Sequence, residues 1–198
     1  MSIDEGSVVH EQVGAPSENV SVVAEVSKVS VSRESFLLDL RSADPNKRIA
    51  ALAGLAPQGN VEDFGLIAGC FDDPSPQVRH AAARALRDLE PDRTVESFTR
   101  AIEEGSPARA RNIGIAIADS GLASEALQDL SAQSREDTYK ALSLLFVMAK
   151  SGHSRPLIQA IEEHPELEVS SAAVKLLNLN GQSDAAEAAL QRRRERGG

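Results

Sequence analysis

Residues 73–86 read Asp73-Pro74-Ser75-Pro76-Gln77-Val78-Arg79-His80-Ala81-Ala82-Ala83-Arg84-Ala85-Leu86, and this one segment holds a stop, a start and a helical face. Asp73 is a residue that accepts from free amides at a helix start, and Pro74 or Pro76 suits the first turn, where no amide hydrogen is needed. Behind them Val78, Ala81, Ala82, Ala85, Leu86 and Leu89 fall at a spacing near 3.6 and make one apolar stripe. Phe64, Leu66, Ile67 and Phe71, just upstream, supply an opposing surface. The alanines set how close two helices can lie, so the segment reads as the second helix of a tight pair.

The same phrase recurs along the chain. Upstream stands Asp44-Pro45-Asn46-Lys47-Arg48-Ile49-Ala50-Ala51-Leu52, and downstream His164-Pro165-Glu166-Leu167-Glu168-Val169-Ser170-Ser171-Ala172-Ala173. A weaker copy begins at Pro107, and another at Asp137 has lost the proline. Arg48, Arg79, Arg111, Lys140 and Ser170 are equivalent, and their spacing stays near 30 residues. Breakers divide the sequence into helix pairs 33–42 with 46–55, 61–71 with 76–89, 93–104 with 108–119, 122–132 with 136–150 and 154–163 with 166–179. A last helix covers 183–195. A period near 30 with two helices per unit predicts an all-α protein, an α-α superhelix or α-solenoid of about five pairs closed by a C-terminal capping helix. The repeats fall at 33–59, 60–90, 91–121, 122–152 and 153–181, with the cap at 183–196.

These phrases resemble HEAT-like repeats, in the short form found in phycobilisome lyases and in many stand-alone bacterial proteins. The likeness covers about 150 residues of the 198. It implies an armadillo-like scaffold that binds proteins, and, as the alternative, a lyase or accessory protein acting on a protein-bound bilin. Two catalytic branches built on such repeats are excluded by the residues. Diiron hydroxylases need His-Glu pairs on several repeat helices, and here one pair, His10-Glu11, stands outside the repeats. Glycosylases need a basic channel with aromatic residues. The chain carries −9 overall and 3% aromatics, with −4 in residues 1–32, +3 in the last arginine cluster and −8 between them.

Other chemistry is equally absent from the sequence. Cys70 is the single cysteine, which excludes a disulfide framework and a multi-cysteine zinc site, and its apolar neighbours mark a structural thiol. No glycine-rich phosphate loop or nucleophile elbow is present. The reading is therefore a non-catalytic protein with no cofactor and no metal. No apolar run approaches a membrane span, and Met1-Ser2-Ile3-Asp4-Glu5 lacks the features of a signal peptide, so a cytoplasmic location is expected.

Residues 1–32 contain no leucine and alternate valine with serine, which predicts a disordered or loosely docked tail. Arg48 and Arg79 are expected to hold neighbouring units in register by pairing with Asp44 and Asp73. The outward positions of the second helices give the candidate partner-binding face, taken as the concave side: His80, Arg84 and Arg87, then Asn112 and Asp119, then Lys140, Ser143 and Val147, then Ser171, Lys175 and Asn178. That face reads as mixed to basic and predicts a polar or acidic protein segment as partner, with no nucleic acid. The helix at 141–149 is apolar almost all round, so it is either buried on several sides or exposes Val147 as a contact. The arginines of 191–196 read as a solubilising cap that also suits a helix C-terminus.

Overall fold

The computed structural model describes residues 32–58 and 60–197; the expected tail lies outside the described residues apart from Ser32. Among the described residues eleven α-helices follow one another and no strand occurs. They are α1 (Arg33–Asp39), α2 (Pro45–Leu55), α3 (Phe64–Gly69), α4 (Pro76–Leu89), α5 (Thr94–Glu103), α6 (Pro107–Asp119), α7 (Leu122–Asp129), α8 (Arg135–Lys150), α9 (Arg155–Glu163), α10 (Leu167–Leu179) and α11 (Ser183–Gly197). The second helices form a continuous layer, α2 on α4, α4 on α6, α6 on α8 and α8 on α10. Each pairs with its own first helix. The all-α solenoid stands.

The local chemistry of the repeated turn explains where the second helices begin. Asp44 caps α2 by accepting from the Asn46 amide at 2.9 Å, and Pro45 fills the first position. Ser106 caps α6 through the Arg109 amide at 3.1 Å, again before a proline. Where the proline is missing, Ser134 still caps α8 by accepting from the Asp137 amide at 3.2 Å. One segment departs from expectation. The helix expected over 61–71 is a six-residue α-helix between 3-10 turns at Val61–Asp63 and Cys70–Asp72. Gly65 and Gly69 lie within it, and each weakens a helix interior by about 1 kcal/mol relative to alanine.

The core runs through the stack as one cluster. Val78, Ala82, Ala85, Leu86 and Leu89 of α4 are buried as expected, with Ala81 partly buried. Phe64, Ile67 and Phe71 oppose them, but Leu66 faces outward. Phe71 also meets Phe98 of α5 with ring centroids 6.3 Å apart, tying the second pair to the third. Two helical glycines permit close approach. A Cβ on Gly54 would run into the Phe36 ring, and one on Gly114 would lie 2.8 Å from Ser151 Cβ and 3.2 Å from the Met148 carbonyl oxygen.

The register ladder is present at one seam and incomplete at the next. Arg48 donates to both carboxylate oxygens of Asp73, at 2.8 and 2.9 Å, and to the Ser42 and Ala43 carbonyls of its own turn. Burial alone would push the Asp73 carboxyl up. The Arg48 hydrogen bond, the Ser75 amide and the nearby Arg48 and Arg79 charges outweigh that and hold it below the usual range. Arg79 repeats the turn contacts, donating to the Asp73 and Pro74 carbonyls at 2.7 and 3.3 Å. Its carboxylate, however, is missing: Gly105 occupies the position that Asp73 fills one unit earlier, and Arg79 Nε is buried without a partner. Asp44 caps α2 rather than pairing with an arginine. The ladder expected from Asp44, Arg48, Asp73 and Arg79 thus reduces to Arg48–Asp73.

Other contacts reinforce the same two seams. Arg33 pairs with Asp63, whose side chain is fully buried. Arg109 pairs with Asp72 across the second seam, and Asn112 donates to the Phe71 carbonyl at 2.9 Å.

The last helix closes the stack by packing on α9 and, to a smaller extent, α10. Ala186 and Ala189 are its buried residues. Its arginines fold back: Arg192 and Arg196 pair with Glu162, Arg196 also with Glu163, and Arg193 donates to the Ile161 carbonyl at 2.8 Å. Hydrogen bonds from Gln159 and Arg196 hold the Glu163 carboxyl below its usual range. No helix among the described residues is long and apolar enough to cross a membrane.

Candidate functional site

The stripe at Tyr139, Leu142, Ser143 and Phe146 runs along α8 at the i, i+3, i+4, i+7 spacing that places side chains on one helix face. Opposite it, α10 presents Glu168, Ser171, Ala172, Lys175 and Leu179 at the same period. Between the two ridges lies a groove of about 490 Å³, lined by these residues with Leu130, Thr138 and Leu176. Tyr139 and Leu179 on its rim are 71% and 72% exposed, values that mark large apolar surfaces left facing water. Leu142 and Phe146 are half-buried in its floor.

A second groove of about 500 Å³ adjoins the first, sharing Tyr139 and Ser143. It is bounded by the end of α4, the start of α5, α7 and the first half of α8. Its wall is acidic: Asp88, Asp92, Glu96, Glu125, Asp129 and Glu136 face two cations, Arg87 and Lys140. Both cations are held within the wall. Arg87 pairs with Glu125 and with Asp88 at 2.9 Å, and Lys140 lies 2.8 Å from Glu136 and 3.7 Å from Asp92. The Glu136 hydrogen bond, reinforced by these carboxylates, raises the Lys140 ammonium above its ordinary value, so it stays charged.

The candidate residues divide between these grooves and internal roles. Arg87, Lys140 and Ser143 line the acidic groove, and Ser143, Ser171 and Lys175 line the apolar one. Asn178 is exposed but lines neither. Arg84 donates to the Ser120 carbonyl at the end of α6 and reaches Glu125 at 3.5 Å. Asn112 is committed to Phe71, as above. His80 is largely shielded, with Nε2 unbonded and 3.9 Å from Asp119. The alternative that exposes Val147 is corrected: Val147 is 9% exposed, one of six buried residues that turn α8 into the core. Of the cations expected on this face, Arg84, Arg87 and Lys140 lie against neighbouring carboxylates, while Lys175 is exposed on the rim of the apolar groove. The sequence reading missed Tyr139, Leu142, Phe146 and Leu179; a helical wheel extended one turn upstream on α8 would have found the first three.

Among the described residues no cluster of three or more His, Cys, Asp or Glu is arranged to hold a metal ion. Burial pushes the Cys70 thiol up to about 11, and its Sγ–H donates to the Leu66 carbonyl at 3.4 Å, so it is a structural group.

Comparison with known proteins adds one finding. The family of HEAT repeats matches residues 34–116 and, in an overlapping second match, 63–149. No curated protein and no solved structure matches the chain at a significant level. HEAT repeats generally mediate protein–protein interaction. The matched segments together cover more than half of the sequence and coincide with α1 to α8: the chain belongs to the HEAT repeat family.

Proposed function

We propose that this protein is a non-catalytic, protein-binding scaffold whose docking surface is the second-helix face of its last two repeats. The observation that carries the reading is the apolar groove between α8 and α10, with Tyr139 and Leu179 exposed on its rim. Tyr139 and Leu179 stand among the exposed large side chains, and burying them on a partner removes their apolar surface from water at about 25 cal/mol per Å². Ser143, Ser171 and Lys175 supply the polar edge that orients a partner. The solenoid supplies rigidity, since each pair is held by the next.

A bilin alternative receives no specific support from this groove, whose rings are Tyr139 and Phe146. The test is affinity recovery of partners from the native source with the wild-type chain, Leu142→Asp and, as a control on the far end of the stack, Leu38→Ser. Proteins recovered by wild type and Leu38→Ser but lost with Leu142→Asp support the groove. Equal recovery by all three, with Leu142→Asp still folded by circular dichroism, places the docking surface elsewhere.

A further inference from the structure

The two grooves lie side by side across the α8 ridge, one apolar and one acidic, and share Tyr139 and Ser143. That juxtaposition specifies the chemistry of what docks. We infer that the occupant is an amphipathic helix whose apolar face fills the α8–α10 groove and whose flank carries lysines or arginines that reach over Tyr139 to the acidic wall. The inference rests on the proposed docking surface and adds the class of partner.

Each part follows from geometry already described. Two adjacent helices leave a furrow into which a third helix lays a ridge of side chains at i, i+3, i+4 and i+7. The α10 side of the furrow runs from Glu168 to Leu179, about 16 Å at 1.5 Å per residue, enough for three turns of an incoming helix. On the flank, six carboxylates face two cations that are already paired inside the wall. Glu96 and Asp129 have no ion-pair partner among the described residues, and the Asp92 side chain is 97% exposed with one 3.7 Å contact to Lys140. A basic flank completes this wall; an acidic flank adds repulsion to it. The groove proper carries one charge of each sign, Glu168 and Lys175, and therefore does not itself select the sign of the partner. Selection comes from the wall beside it.

Two synthetic helical peptides of about 14 residues test this, with the same leucine stripe and either lysine or glutamate at every flank position, titrated by fluorescence anisotropy at 150 mM salt. The lysine peptide is expected to bind at least tenfold more tightly than the glutamate peptide. Replacing Glu96 and Asp129 together by lysine is expected to bring the two affinities within threefold, and Leu142→Asp to abolish both. Equal binding of the two peptides to wild type, lost with Leu142→Asp, overturns the basic partner while leaving the groove as docking surface. Lysine-peptide binding that survives Leu142→Asp reports attraction to an acidic protein in general and overturns the groove reading itself. Near-identical circular dichroism of wild type and variants excludes misfolding as the cause.

Discussion

The seam between the first and second helix pairs and the seam between the second and third are built from the same turn and are held differently. At the first, Arg48 grips Asp73 with two hydrogen bonds. At the second, Arg79 makes the same two turn contacts but Gly105 offers no carboxylate, and the work passes to Arg109–Asp72, Asn112 and the Phe71–Phe98 rings. A repeat protein therefore need not repeat its seams. What persists is the turn geometry that aims an arginine; the charge it aims at is replaceable when rings and a backbone acceptor are at hand.

The comparison predicts that the second seam fails through packing and the first through charge. Phe98→Ala should have the largest effect, a loss of about 3–5 kcal/mol in chemical denaturation, because a fully buried ring is removed from the second seam. Next, Arg48→Ala should lower Tm by more than Arg79→Ala, since only the first strands a partly buried carboxylate. Equal shifts would mean that the turn carbonyls, common to both arginines, carry the effect. Gly105→Asp should fail to restore the missing rung and should cost about 1–3 kcal/mol, because the added Cβ lies 2.8 Å from the Ala101 carbonyl oxygen and 2.6 Å from Arg109 Cδ. A rise in Tm would show that the second seam is short of charge after all.

Two smaller effects sharpen the first seam. Asp73 is held below its unfolded value of about 3.9, so its contribution is complete above that pH and is lost as pH falls through the lower folded value. An Asp73→Asn variant should therefore be less stable at pH 7 but lose less on acidification to pH 3, measured by thermal melts across pH. Finally Cys70, pushed up to about 11 chiefly by burial, should alkylate slowly at pH 8, and more slowly still in Arg48→Ala, because the Arg48 charge lowers the thiol; faster alkylation in that variant would report that the seam has opened. Unchanged alkylation would separate the thiol's burial from the ion pair.

Much of this architecture was legible in the sequence because its signals are local. The Asp-Pro and Ser-Pro turns, the period near 30 and the alanine stripe of α4 each depend on residues a few positions apart. What was hidden depends on distant partners. Arg84 and Arg87 look like a basic face until Glu125, 41 and 38 residues away, is found beside them. The apolar helix at 141–149 gave two candidate faces, and only the packing of α8 among α5, α6, α7 and α10 decides between them, with Val147 buried and Leu142 and Phe146 left toward the groove. Leu66 is apolar but out of phase: the buried set Phe64, Ile67, Ala68 and Phe71 keeps the i, i+3, i+4, i+7 spacing, and Leu66 falls on the other side of it.

The folded-back arginines of α11 bear on how this stack could be lengthened. Because α11 sits on α9 through Glu162 and Glu163, a unit spliced in after Gly181 would inherit the task of receiving it. Such an insert would extend the array cleanly only if its own first helix offers both the close surface that receives Ala186 and Ala189 and carboxylates at its end for the arginines; otherwise the terminal helix would compete with the newcomer for α9.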